Sequence, residues 1–165
     1  MPHFLRTKPA PRVSGGYQAF RDYVRNDFCH RCAYCLIAEW LAAGVENFEL
    51  DHFRPKSLFP EKKQDFYNLF YACHPCNMLK HDSWPPEDLE ARGITFVDLC
   101  EDDFQTHFKL LEDGTWDGIT ESGRYTIEIL RLNREHLVLV RRFLKRLGVD
   151  LLSKEIMEDD APKLV

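Results

Sequence analysis

The sequence predicts an α+β fold in one domain. Three observations predict it: an amphipathic stretch near the start, two strand-like stretches in the middle separated by a polar loop, and a helical end. With 165 residues, 44% hydrophobic and 13% aromatic, the chain has enough apolar side chain to fill one core.

The elements follow in chain order. Residues 1 to 16 hold three prolines and close on Ser14, Gly15 and Gly16, which predicts an extended arm. Tyr17, Phe20, Tyr23, Val24 and Phe28 recur at spacings of three and four, predicting an amphipathic helix from Tyr17 to about Phe28. The CAYC run at residues 32 to 35 reads as a knuckle, and Leu36 to Ala43 as a short helix stopped by Gly44. NFELDHF, residues 47 to 53, reads as a strand ending near Asp51 and His52. Pro55 then drives Arg54 out of helical geometry, and a polar loop runs to Asp65.

FYNLFYAC is the second strand and delivers the chain to Cys73. Asn77 to Asp82 starts a helix with Pro75 near its first turn, ended by Trp84, Pro85 and Pro86. FVDL, HFKLL and GTWDG read as short strands or turns, with Asp113 and Gly114 at a hairpin tip. Tyr125, Ile129 and Leu132 mark one helix; Leu137, Val140, Phe143, Leu144 and Leu147 mark a second, stopped by Gly148, with Arg141, Arg142, Lys145 and Arg146 on its polar side. The divisions expected are an arm (1–16), a central core (17–92) and C-terminal strands and helices (93–165).

Composition limits the function classes. No run of about 18 uncharged apolar residues occurs and the start lacks the apolar stretch of a secretory signal, so a cytoplasmic protein without a membrane span is expected. In a reducing compartment six cysteines point to metal ligands or buried thiols before disulfides. The net charge of −5 argues against a protein that coats nucleic acid non-specifically. Charge is uneven, however: residues 1 to 31 are basic, whereas Glu155, Glu158, Asp159 and Asp160 make the tail an acidic, solvated segment.

Two Cys-x-x-Cys pairs, Cys32 with Cys35 and Cys73 with Cys76, supply the four ligands of a tetrahedral structural Zn²⁺. Cys29, three residues before Cys32, and the adjacent His30 leave open which nearby donors join. The 37 residues between the pairs exceed the roughly 15 to 20 of a minimal paired-knuckle site. Loop closure costs grow slowly with length while zinc binding supplies on the order of 10 kcal/mol, so the metal can hold a long insertion. That insertion carries DHFRPK and Asn68, and returns Asp51 and His52 toward Asn77.

The order CAYC, ELDHFRPK, YNLFYACHPCNMLK resembles the HNH endonuclease superfamily, in its four-cysteine zinc-bearing form with asparagine in the third motif. Residues 96 onward, FVDLCEDDF through DGTW to TESGRYTIEILRLNREHLVLVR, are similar to the trailing region of a subset of such proteins. The resemblance implies a ββα-metal core (His-Me finger, treble-clef-like) around one catalytic ion. It implies DNA phosphodiester hydrolysis leaving a 5′ phosphate and a 3′ hydroxyl, with His52 as general base. Asp51 and Asn77 would hold Mg²⁺ or Mn²⁺, which suits their hard oxygen donors. Asn68 would hold the base in position across the loop. His81, four residues after Asn77, is a secondary candidate at the same site, equally readable as a solvent-exposed histidine. Arg54, Lys56 and Lys80 are of the type that contacts phosphate. Adjacent strand residues point to opposite faces, so Asp51 and His52 are expected at a strand end or bulge. The alternative is a non-catalytic zinc-stabilised module that binds nucleic acid or protein, which would not need Asp51 and Asn77. The acidic net charge fits delivery to DNA by a protein partner, as in phage-defence or RNA-guided assemblies.

Overall fold

The computed structural model describes residues 3–152; the acidic tail lies outside the described residues. Its centre is an antiparallel pair, β1 (Phe48–His52) and β2 (Leu69–Cys73), in unbroken register from Phe48 opposite Cys73 to His52 opposite Leu69. Every residue of β2 is buried, as expected of a strand covered on both faces. Helix α2 (His74–Lys80) leaves β2 without a loop, with Pro75 in its first turn where a missing N–H costs nothing. The mixed α/β architecture, with this strand pair, helix and four-cysteine cluster, is the α+β, ββα-metal arrangement that the sequence predicts.

The amphipathic N-terminal stretch forms a 3-10 turn (Tyr17–Phe20) running into α1 (Arg21–Asp27). Phe28, just past α1, packs on Phe4 and Phe70 at ring separations of 4.9 and 5.1 Å. The arm before it is extended but anchored: Phe4 is buried, and Arg6 donates to Asp27 and to the carbonyls of Phe66 and Leu69. The expected helix over Leu36–Ala43 does not form. Leu36 takes a left-handed φ of 62° as the knuckle turns, and only a 3-10 turn (Glu39–Leu41) follows.

Beyond the core, α3 (Glu87–Ala91) and α4 (Phe104–His107) are short helices that hydrophobic spacing does not announce. Phe96 to Leu99 forms no strand and is mostly buried as irregular chain. β3 (Phe108–Leu110) and β4 (Trp116–Gly118) make the predicted hairpin, with Gly114 at φ 86° near its tip. α5 (Glu121–Ile129) starts hard against α4, where a Cβ on Gly123 would lie 2.3 Å from the His107 carbonyl oxygen.

The last helix is α6 (Glu135–Arg146), with Gly148 at φ 69° just after it. Its Arg141 is not on the polar side as expected: it is buried with its guanidinium 4.1 Å over the Trp116 ring, because the hairpin offers a π face that accepts a cation. One contiguous apolar cluster runs from Phe4 to Leu151. Among the described residues no helix is long and apolar enough to cross a membrane.

Candidate active site and zinc centre

Two sites share α2, because Cys76 and Asn77 are consecutive. The first gathers the sulfurs of Cys32, Cys35, Cys73 and Cys76, all buried and within 4.8 Å of one another. No disulfide joins them, and Cys35 and Cys73 lie 3.7 Å apart. A tetrahedron with Zn–S bonds of about 2.3 Å requires sulfurs about 3.8 Å apart, so the donor set and spacing fit zinc. The Ala33 amide donates to the Tyr71 carbonyl at 2.7 Å and so ties the first knuckle to β2. Hydrogen bonding to the Cys32 sulfur pushes the Cys73 and Cys76 thiols well up, whereas Cys35 is held well down, against its burial, by hydrogen bonds from the other three; a bound cation would supply the positive charge the cluster lacks. Arg134 supplies part of that charge, donating to the Cys76 sulfur at 3.4 Å. Cys29 and His30 stay outside the cluster, and His30 pairs with Asn26 instead. The four cysteines suggest a structural zinc.

The second site is a cleft of about 530 Å³ bordered by β1, the start of α2 and Tyr17. His52 is the last residue of β1, so the side chains of Asp51 and His52 can border one cleft without a bulge. The Nε2 of His52 lies 2.9 Å from the Lys63 carbonyl oxygen. A carbonyl only accepts, so Nε2 carries the proton and Nδ1 keeps its lone pair. The Tyr17 ring meets the imidazole edge-on at 4.6 Å. Burial pushes the His52 pKa below its ordinary value, against the opposing effect of the Lys63 bond.

Asn68 explains why Lys63 is where it is. Its Oδ1 accepts from the Arg54 amide at 2.9 Å, and its Nδ2 donates to the carbonyls of Arg54 at 3.0 Å and Lys62 at 3.3 Å. One buried carboxamide therefore closes the polar loop at both ends.

Asp51 is buried and held twice. The Tyr34 hydroxyl, inside the first cysteine knuckle, donates to its Oδ2, and the Lys80 ammonium sits 3.2 Å from the same oxygen. Lys80 also donates to the His52 carbonyl at 2.9 Å. Burial raises the Asp51 pKa and lowers that of Lys80, in each case outweighing the attraction between them. Lys80 is thus no phosphate contact: it is fully buried, because Asp51 needs a countercharge inside the protein. Lys80→Met should cost about 3–5 kcal/mol in denaturant unfolding of the zinc-loaded protein, since it strands a buried carboxylate. A loss below about 1 kcal/mol, the range of exposed pairs, would contradict a buried ion pair.

The other expected residues fare differently. Asn77 borders the cleft, and its amide nitrogen donates to Glu49. His81 caps α2, which stops at Lys80: its amide donates to the Asn77 carbonyl at 2.7 Å, its backbone leaves the helix at φ 42°, and it lines the cleft with Asn77. Arg54 packs between the rings of Phe59 and Trp84, at 5.3 and 5.2 Å, and braces the loop. Lys56 is exposed at the rim, 5.6 Å from the Tyr17 ring centre. Sequence reasoning missed Tyr17, Tyr34 and Glu49. Glu49 alone had a local signal, since it lies two residues before Asp51 on the same strand face.

Strand pair, helix and four-sulfur cluster together define a small α+β protein with a candidate zinc centre beside a polar cleft. Residues 29–83 match the family model of the HNH endonucleases, so this third of the chain carries an HNH endonuclease domain. That family implies nuclease activity and a nucleic-acid substrate. No curated protein matches the chain.

Proposed function

We propose that the protein is a metal-dependent endonuclease that hydrolyses DNA phosphodiester bonds, with His52 as general base in a single nuclease domain. The observation that carries this reading is the 2.9 Å contact between His52 Nε2 and the Lys63 carbonyl oxygen. The Nε2–H is committed to Lys63, so the free lone pair on Nδ1 can take a proton from water. Asp51 and Asn77 would hold one divalent ion, Mg²⁺ or Mn²⁺, through oxygen atoms suited to hard cations. Bound there, the ion supplies positive charge for the phosphate and the departing 3′ oxygen.

The remaining residues position these groups. Asn68 and Lys63 fix the imidazole, while Tyr34 and Lys80 fix Asp51 through its Oδ2. Lys56 at the rim is the phosphate contact, and His81 is a secondary one. The zinc centre is structural and sets Asn77 through its neighbour Cys76. An overall charge of −5 favours delivery to DNA by a protein partner in the cytoplasm, as in phage-defence or RNA-guided assemblies.

The direct test is nicking of supercoiled plasmid by zinc-loaded protein with and without Mg²⁺ or Mn²⁺. Cleavage should be absent from zinc-loaded protein in buffer freed of Mg²⁺ and Mn²⁺, and should return when either ion is added. Ion-independent cleavage, or none under any divalent ion, would reject the assignment. A pH profile adds a second check. A base must be neutral to accept a proton, so the rate rises as pH climbs through its pKa. Because burial lowers that of His52, the acidic limb of kcat/KM should lie below the ordinary value of about 6.5. A limb above 7 would point to a different base.

A further inference from the structure

Glu49 has no part in the chemistry above, yet its carboxylate binds two side chains of α2 at once. His74 Nδ1 lies 2.8 Å from Oε1, and the Asn77 amide nitrogen donates to Oε2. Glu49 and Asp51 leave β1 on the same face and both border the cleft. The carboxylate is ionised near neutral pH and can only accept hydrogen bonds. The corner of Asn77 that meets it must therefore be the NH₂ group, and the amide oxygen is turned away from Glu49. This orientation matters, because a carboxamide coordinates a hard cation through oxygen; its NH₂ group offers only donors.

We propose that Glu49 is a positioning residue: it fixes the flip of the Asn77 carboxamide so that oxygen faces the divalent ion, and His74 holds Glu49 in turn. The inference rests on Asn77 being a ligand. Glu49 acts as an outer partner of that ligand, a role whose loss typically lowers metal affinity about 10–100-fold.

The test is a Mn²⁺ titration of the full, zinc-loaded chain without DNA, followed by the electron paramagnetic resonance signal of free Mn²⁺. Glu49→Ala should weaken binding about 10–100-fold. Glu49→Leu, which keeps side-chain volume without an acceptor, should do the same. Glu49→Gln should stay close to the parent protein, because its amide oxygen still accepts from Asn77. Zinc content and melting temperature, measured in parallel, should match the parent for all three, as Glu49 is partly exposed. Unchanged affinity in Glu49→Ala and Glu49→Leu would overturn the proposal. So would an equal loss in Glu49→Gln, which would make charge, and not orientation, the cause. Asn77→Ala separates the two levels: if it binds Mn²⁺ normally, the ligand assignment itself fails, whereas weakened Asn77→Ala beside normal Glu49→Ala sinks only the role of Glu49.

Discussion

His52→Ala should lower divalent-ion-dependent DNA cleavage by about 10²–10⁴-fold, the range for removal of a general base. The reason lies in the geometry that holds the imidazole. Nε2 is committed to Lys63, Tyr17 covers the ring edge-on, and Nδ1 alone has a free lone pair. Asp51 is no substitute, since its Oδ2 is already bonded to Tyr34 and Lys80. The folding cost should be modest: one lost hydrogen bond is worth about 1 kcal/mol, which leaves the zinc centre and the strand pair intact. His52→Gln, closer in volume, should be equally inactive. Undiminished plasmid nicking by either variant, with normal zinc content, would defeat the assignment of His52.

Removing zinc should unfold the domain outright. Structural zinc contributes on the order of 10 kcal/mol, and whole domains have about 5–15 kcal/mol of stability, so loss of the ion leaves nothing to hold the fold. The cysteines sit at the ends of β2 and α2 and in the knuckle that bonds to Tyr71, so the central sheet loses its closure with them. Arg134, ahead of α6, donates to the Cys76 sulfur, and the C-terminal helices should loosen in the same transition. Cys73→Ser, or a strong zinc chelator, should therefore abolish cooperative melting followed by circular dichroism. A melting curve unchanged after verified zinc removal would rule out the structural role.

Much of this was legible in the sequence wherever information is local. The spacing of Cys32, Cys35, Cys73 and Cys76 encodes two turns, and those four sulfurs do converge. Alternation and bounding turns gave β1 and β2 within a few residues, and glycine near the end of α6 gave its stop. The error over Leu36–Ala43 arose because a metal knuckle, not helical propensity, sets the backbone there. His81 reaches the cleft although α2 ends at Lys80, because its amide still bonds to the Asn77 carbonyl and closes the last turn. Lys80 and Arg141 misled because a cation on a helix looks solvated until a buried carboxylate or an aromatic face appears opposite.

By itself, then, the sequence determined the donor types, the two knuckles and the order strand, loop, strand, helix, since these follow from spacings of two to four residues along the chain. Tertiary structure alone decided which groups face each other: Tyr34 on Asp51, Lys80 beneath it, Glu49 on Asn77, and Tyr17 against His52. Each of those pairs joins residues well apart in the chain. Local periodicity carries no record of such contacts, which exist because closing the sheet and burying its apolar faces brings distant segments together.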